Sequence, residues 1–324
     1  MKRRTKYILL CLVPAGALLA VLFAEPDKSF LFANDSGDCN GRSIFMYNAL
    51  YNNPNQADVL LVGSSKTMNG INDSMLNRLG GQKFLNLGYC RFGRNLDYFF
   101  VEQYCHLHHP KALVLEVREH ESQGSHPVSP FLLPLDQLAV SAFCMSGDFF
   151  PDLYNKWLCN LKFIRKKLFN PGANTEVPPV DARAGFWYGY KPPVPEELKQ
   201  QRYSDSCTLA SEKPSSNEAL NAGSEFYLSK IAALCKAKHM RLYLLYLSSY
   251  GNLWKTPASY ESYLRYGAFL SVPDSILQDV NNFSDFGHFN LQGANKASLW
   301  LAGQLNRHKR QASLFNPKIV HKNR

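Results

Sequence analysis

The hydrophobic pattern of the chain alternates between short apolar runs and longer segments in which apolar residues recur at helical spacing. Runs with the length of buried strands occupy residues 59–62, 83–87, 112–117 and 242–247. Segments with helical spacing occupy residues 73–79, 95–107, 217–239, 260–269 and 291–305. Strands that alternate with helices form a parallel sheet covered on both faces. The pattern therefore predicts a three-layer α/β domain with a flavodoxin-like parallel sheet.

The alternation stops between residues 120 and 215, in a long segment rich in proline. A structureless connection of this length is uncommon in a compact domain, so we expect an inserted cap. The α/β domain then spans residues 57–305 with an insertion at 120–215. Residues 25–56 are interpreted as a stalk that packs on this domain, and residues 306–324 as a basic tail.

The N-terminus predicts a membrane helix. Residues 7–24 carry no charge, and four cations precede them: Lys2, Arg3, Arg4 and Lys6. Eighteen residues are about the minimum that crosses the hydrocarbon core, and the preceding cations favour a cytoplasmic N-terminus. A cleaved signal peptide is the alternative, but cleavage after Ala24 would place Leu22 where a small residue is needed. We expect an uncleaved anchor in residues 1–24, with the rest of the chain periplasmic or at the cell surface.

The positive charge lies mostly at the two ends of the chain. The formal net charge is +10, and the middle of the chain is close to neutral once the N-terminal and C-terminal cations are set aside. A nucleic-acid-binding domain would carry a basic face within its fold. No nucleic acid is expected among the partners, which include the bilayer through residues 7–24.

The cysteines suggest disulfides rather than a metal site. Eight are present, and no two have C-x-x-C spacing, so nothing indicates zinc or thioredoxin chemistry. An exported chain meets an oxidising compartment, and Cys144 with Cys159 is a plausible pair within the insertion. His106, His108 and His109 are interpreted as the solvated end of a helix. No cofactor and no metal are expected.

Three residues have the chemistry of a catalytic triad. Ser65 follows the first predicted strand, and Asp285 precedes His288 by three residues near the end of the domain. A serine hydroxyl needs a base to accept its proton, and that histidine needs a carboxylate to fix its tautomer. Ligands of open parallel sheets bind beyond the carboxyl ends of the strands, which is where Ser65 falls. The spacing predicts Ser65 as nucleophile, His288 as base and Asp285 as its orienting group.

The chain resembles the SGNH (GDSL-type) hydrolase superfamily at three blocks. Gly63-Ser64-Ser65 is similar to the nucleophile block, and Leu85-Asn86-Leu87-Gly88 to the block with the oxyanion glycine. Asp285-x-x-His288, followed by Asn290 and Gly293, is similar to the last block. The resemblance implies an oxyanion hole built from the backbone N–H groups of Ser65 and Gly88. Two departures stand out. Ser64 replaces the usual aspartate, and the third strand, 114–119, lacks the asparagine that donates to the oxyanion.

The Gly-Ser-Ser block resembles the extracytoplasmic branch of the superfamily, with polysaccharide O-acetyltransferases and the teichoic acid D-alanylation protein. This resemblance implies a serine acyl esterase or O-acyltransferase acting on a cell-envelope glycan, with a polytopic membrane-bound acyltransferase as possible partner. Arg118, Trp187 and Tyr188 are candidate substrate-binding residues, since aromatic rings stack on sugars and a guanidinium binds polar or anionic groups. The alternative is a catalytically degenerate SGNH domain that binds glycan or serves as a scaffold.

Overall fold

A computed structural model describes residues 12, 16, 19–33, 41–121, 124–144, 149–170, 177–187, 196–200, 219–250 and 256–315. Its centre is one five-stranded sheet with β1 (Val59–Val62), β2 (Phe84–Asn86), β3 (Ala112–Val117), β4 (Arg241–Tyr246) and β5 (Ala268–Ser271). The strands are all parallel and lie in the order β2-β1-β3-β4-β5. This is the strand order of flavodoxin-like folds.

The helices surround the sheet and its connections. In chain order they are α1 (Lys28–Ala33), α2 (Arg42–Tyr47), α3 (Ser65–Gly70), α4 (Asp73–Leu79), α5 (Arg94–Leu107), α6 (Ser129–Leu132), α7 (Leu135–Cys144), α8 (Phe149–Phe169), α9 (Ala222–Ala237), α10 (Tyr260–Leu264), α11 (Asp274–Leu277) and α12 (Leu291–Phe315). Short turns of other helix types occupy Val21–Phe23, Asn48–Asn52 and Val280–Asn282.

Successive strand residues point to opposite faces of the sheet, and both faces are buried. Leu60 and Leu113 pack with side chains of α5 and α9 on one face. Leu61 and Val114 pack with side chains of α4 and α12 on the other, among them Leu301. The three-layer α/β prediction is therefore confirmed.

The four predicted strands are confirmed with small shifts of their ends, whereas β5 was missed. Residues 260–269 were predicted as a helix, which is wrong beyond Leu264. A Cβ at Gly267 would lie 2.6 Å from the carbonyl oxygen of Leu242, so the chain passes there in backbone contact with β4. Hydrogen bonds to β4, distant in sequence, decide the conformation of this short edge strand. Helix α9 begins at Ala222 because Asn221 caps it, accepting from the Ser224 N–H.

Residues 25–56 contribute to the main core rather than standing apart from it. Phe30, Phe32, Met46 and Leu50 are buried in the same hydrophobic layer as the α5 face of the sheet. Arg42 is fully buried, and its guanidinium donates to three carbonyl oxygens in two other segments: those of Asn86, Gly88 and Gly185. One cation thus ties the N-terminal helices, the end of β2 and the inserted segment together.

The membrane prediction falls mostly outside the described residues. No helix in the described ranges is long and apolar enough to cross a bilayer. Val21–Phe23 form a single 3-10 turn that packs against α8. The span over residues 7–24 remains a prediction.

The predicted pairing of Cys144 with Cys159 is wrong. Cys159 is a buried thiol on α8, enclosed by the packing of that helix, as Cys105 and Cys235 are by theirs. Cys90, in the loop between β2 and α5, is disulfide-bonded.

We predict that Arg42→Lys lowers the free energy of unfolding by about 2–4 kcal/mol. A lysine ammonium cannot reach all three carbonyl groups, and each buried acceptor left unpaired costs about 1–3 kcal/mol. Urea unfolding followed by circular dichroism in mild detergent measures the change. Arg183→Lys is the matched control, because Arg183 lies on the surface and pairs with Asp181 as its one partner in the described ranges. Equal midpoints for both variants would contradict the role given to Arg42.

Candidate active site

Three sequence-distant segments meet at the carboxyl edge of the sheet. Ser65 begins α3 directly after β1, and Gly88 follows β2. Asp285 and His288 lie in the loop before α12, which returns to the same edge. The structure therefore brings together the predicted nucleophile, base and orienting carboxylate.

The geometry of these three residues is that of a serine hydrolase triad. His288 Nε2 lies 2.8 Å from Ser65 Oγ. His288 Nδ1 lies 2.9 Å and 3.0 Å from the two carboxylate oxygens of Asp285. With Nδ1–H donating to the carboxylate, Nε2 accepts the serine hydroxyl proton. Nucleophile, base and orienting group are thus all within hydrogen-bond reach.

The loop that carries Asp285 and His288 is held by its own backbone. Ser284 N–H donates to the His288 carbonyl at 2.9 Å, and Phe283 bridges to Phe289. The N–H groups of Gly287 and His288 both donate to Asp285 Oδ1. Burial raises the pKa of Asp285, but these bonds and the His288 ring outweigh it, so the net pKa lies below its ordinary value. Asp285 therefore stays ionised and fixes the imidazole.

The triad is open to solvent on one side. The His288 side chain is 30% exposed and that of Asp285 54%. The side of the site that carries these two side chains is therefore accessible to solvent.

Beneath the nucleophile lies a buried carboxylate, that of Glu116 at the end of β3. Its oxygens accept from the N–H and the hydroxyl of Ser64, and from the N–H and the hydroxyl of Thr67. Ser65 lies between these two residues, so the first turn of α3 is fixed on both sides of the nucleophile. Gly63 is required for this packing, since a Cβ there would lie 2.4 Å from Glu116 Cβ.

The charge of Glu116 is balanced by Arg118. Arg118 Nε donates to Glu116 Oε1 at 3.1 Å, and its Nη2 donates to Ser64 Oγ at 2.7 Å. The guanidinium also stacks over the Phe92 ring. Burial raises the pKa of Glu116, but Arg118 and the hydroxyls of Thr67 and Ser64 outweigh it and bring the pKa to about 2. Arg118 thus supports the nucleophile turn while 29% of its side chain remains exposed.

Lys66, the residue after the nucleophile, brings a second cation to this edge. Its ammonium donates to the Leu247 carbonyl and to the Ser249 hydroxyl beyond β4. Burial lowers its pKa, and the nearby carboxylates of Glu116, Glu119 and Asp285 oppose that change. Lys66 therefore links α3 to the β4 loop and adds positive potential beside Ser65.

The two predicted oxyanion donors differ in their availability. The Ser65 N–H begins α3 and has no hydrogen-bond acceptor among the described residues. The Gly88 N–H already donates to Asn86 Oδ1 at 2.9 Å. An oxyanion would have to share or displace that bond, so the Ser65 amide is the donor ready to act.

Of the candidate substrate residues, Trp187 lies beside the nucleophile helix. The backbone N–H of Trp187 donates to the Met68 carbonyl in α3, and its side chain is 36% exposed. The segment before it is held by Asp73, whose carboxylate accepts from the N–H groups of Gly185 and Phe186. Tyr188 lies outside the described residues. Within the described ranges, no group of three His, Cys, Asp or Glu side chains is arranged to hold a metal ion.

No family model matches the sequence, and no curated protein is similar to it. The SGNH resemblance therefore rests on the motifs and on the geometry of the site.

Sequence reasoning missed the roles of Glu116 and Lys66. By its sequence position, Glu116 is equally compatible with an acid–base carboxylate and with an exposed charge after a strand, but it is 1% exposed. The available signal was its position as the one acidic residue inside the apolar run 112–117. A charge in a buried strand needs a partner, and Arg118 lies two residues away on the same face.

We predict that Glu116→Gln lowers the free energy of unfolding at pH 7 by about 3–5 kcal/mol, since it leaves Arg118 and several buried donors unpaired. A carboxylate with a lowered pKa stabilises the fold fully above its unfolded pKa, and this contribution disappears as pH falls from about 4.5 to about 2. The deficit of the variant should therefore shrink across that window. Urea unfolding at pH 7 and pH 3 measures it.

Glu196→Gln is the control for this experiment, because Glu196 is exposed and, among the described residues, pairs with Lys199 alone. A deficit of Glu116→Gln that is the same at both pH values would contradict the low pKa of the carboxylate.

Proposed function

We propose that this protein is an exported, membrane-tethered serine acyl esterase or O-acyltransferase that acts on a cell-envelope glycan. The observation that carries the proposal is the contiguous Ser65–His288–Asp285 triad, assembled from both ends of the domain at the carboxyl edge of the sheet. Coincidental motifs would have no reason to meet within hydrogen-bond distance in the order nucleophile, base and carboxylate.

The chemistry begins with attack of Ser65 Oγ on the carbonyl carbon of an ester. His288 Nε2 takes the hydroxyl proton as the Oγ–C bond forms, and returns it to the alcohol oxygen as the ester bond breaks. The acyl group is then carried by Ser65. Water activated by His288 releases it as an acid, whereas a sugar hydroxyl activated in the same way accepts it as a new ester.

The negative charge on the carbonyl oxygen needs donors in place. The Ser65 N–H lies at the first turn of a helix, where backbone N–H groups and the helix dipole favour an anion. The ammonium of Lys66 adds positive potential at this edge. Loss of one oxyanion donor costs about 10²–10³ in rate. With Gly88 engaged by Asn86, we expect slow hydrolysis.

Two features favour a glycan acceptor. The exposed side of the triad admits a large substrate, and Trp187 places an aromatic ring beside α3, where it can stack on a sugar. The disulfide at Cys90 fits a protein that folds in an oxidising compartment, in agreement with export past the predicted span 7–24. The proposed partner is a polytopic membrane-bound acyltransferase that supplies acyl groups from across the bilayer.

One observation favours a second candidate function, a non-catalytic domain that binds glycan or scaffolds an envelope assembly. The Gly88 N–H is engaged by Asn86, and β3 supplies no asparagine to replace it. In this alternative, the missing oxyanion donors leave the domain able to bind an ester-bearing glycan but too slow to turn it over.

We predict that Ser65→Ala abolishes covalent labelling by a fluorophosphonate and hydrolysis of p-nitrophenyl acetate. His288→Ala should do the same, because it removes the base. Asp285→Asn should retain about two orders of magnitude more activity than either, since orienting the base contributes less than being the base. Gel-based labelling and initial rates measure the three effects.

The matched control is Ser229→Ala, since Ser229 is a residue on α9 whose hydroxyl bonds the Tyr266 hydroxyl in the described part of the chain. Labelling that survives Ser65→Ala or moves to Ser64 would refute the nucleophile. A wild-type protein that takes no label at all would favour the non-catalytic alternative.

We predict that a reporter active only in the periplasm is active when fused to the C-terminus, because the cations before residue 7 keep the N-terminus in the cytoplasm. Enzyme activity of the fusion, normalised to its amount, measures topology. The same reporter fused after residue 6 is the control and should be inactive. A stable but silent C-terminal fusion would overturn the export proposal.

A further inference from the structure

One face of helix α8 is largely apolar, with four exposed side chains on it and two, Trp157 and Ile164, that are half-buried. Its buried face is fixed by Lys156, which donates to the Leu133 carbonyl, and by Phe163, which packs edge-on against Phe30. On the opposite face, apolar residues recur at alternating spacings of four and three, which is one face of a helix. They form what we term the α8 stripe: Phe150, Tyr154, Trp157, Leu161, Ile164 and Leu168.

The α8 stripe is large for a surface feature. Phe150 is 78% exposed, Tyr154 61% and Leu168 70%, and the helix of 21 residues is about 30 Å long. Single exposed apolar residues are common, but a contiguous stripe of this kind marks an interaction surface.

The exposed charges of α8 itself are all cations, and one of them, Lys167, pairs with Asp27 of the preceding segment at 3.1 Å. Lys162 and Arg165 flank it and are exposed, and Lys166 and Lys167 follow. The only acid of α8, Asp152, is buried and bonded to Ser125. An apolar stripe bordered by lysine and arginine is the pattern of a helix that lies in the interface of a membrane with anionic lipid.

The position of the N-terminal apolar segment also favours a membrane as the partner of the α8 stripe. Asn160 of α8 donates from its amide to three backbone carbonyl groups at the end of that segment: Val21, Leu22 and Ala24. The point at which the chain would leave a bilayer is therefore bonded to α8 itself. Phe23, exposed at 73%, adds an apolar side chain there.

We propose that α8 lies on the outer surface of the bilayer, with its stripe among the acyl chains and headgroups and with its cations on anionic lipid. This proposal rests on the tethering of residues 7–24 in the proposed function. It gives the tethered domain a fixed orientation, because one anchor point allows rotation whereas an anchor and a docked helix do not.

A second copy of the chain is a less suitable occupant. Two stripes packed together would bring the flanking cations of both copies near each other. Neither copy offers an exposed acid on α8 to balance them, so like charges would oppose the pairing.

The test places the photocrosslinking residue p-benzoylphenylalanine at Phe150 or Leu161 in the full chain, reconstituted in vesicles of phosphatidylcholine with 30% phosphatidylglycerol. We expect lipid adducts, identified by mass spectrometry, at least about tenfold above those at Leu79 and Leu299. Those two leucines are the matched controls, since they are comparably exposed on α4 and α12 at the opposite face of the sheet. Lys162→Gln and Arg165→Gln should each reduce the adducts about fivefold, in line with about 1 kcal/mol for a cation at an anionic surface.

Adducts at positions 150 and 161 no stronger than at the controls would overturn the proposal, and so would crosslinks to a second copy in place of lipid. Resistance to alkaline extraction reports the tether, and fluorophosphonate labelling of Ser65 reports the active site in the same vesicles. A chain that keeps both but lacks the lipid adducts refutes the α8 proposal alone, whereas a chain removed by alkaline extraction refutes the tether.

Discussion

The buried carboxylate of Glu116 is the interaction on which the rest of the site depends. It joins β3 to the first turn of α3 through four hydrogen bonds from Ser64 and Thr67, and it is balanced by Arg118. An ionised group in a fold's interior is stable only when its hydrogen bonds and a counter-charge are all present. Because Ser65 lies between the two donors, the requirement to satisfy one carboxylate also fixes the nucleophile.

Under the proposed SGNH resemblance, this arrangement explains why Ser64 can occupy the position at which a Gly-Asp-Ser block carries its aspartate. With Ser64 in the middle position, the block lacks its own carboxylate, and Glu116 supplies one from the neighbouring strand at 2.7 Å from the Ser64 hydroxyl. An aspartate at position 64 would place two carboxylates against each other, which raises the cost of ionising either. The serine and the buried glutamate are therefore best understood as a pair.

The catalytic proposal and the α8 proposal meet in the geometry of a tethered enzyme. Arg42 and Asp73 hold the inserted segment against the edge of the sheet, so that Trp187 lies beside the nucleophile helix. Asn160 holds the exit of the N-terminal segment against α8. Buried polar side chains that bond backbone groups perform both tasks, and they give a large insertion a defined place around a small active site.

The sequence by itself determined the α/β class and four of the five strands, and it pointed to the three residues that meet at the candidate site, because these follow from local periodicity and from residue chemistry at strand ends. Tertiary structure decided what depends on distant partners. The edge strand β5 forms only by pairing with β4, Cys159 is enclosed by the packing of α8, and the N–H of Gly88 is engaged by Asn86. Tertiary structure also decided the burial of Glu116, because a charged residue near a strand end is exposed or buried depending on which elements pack over it.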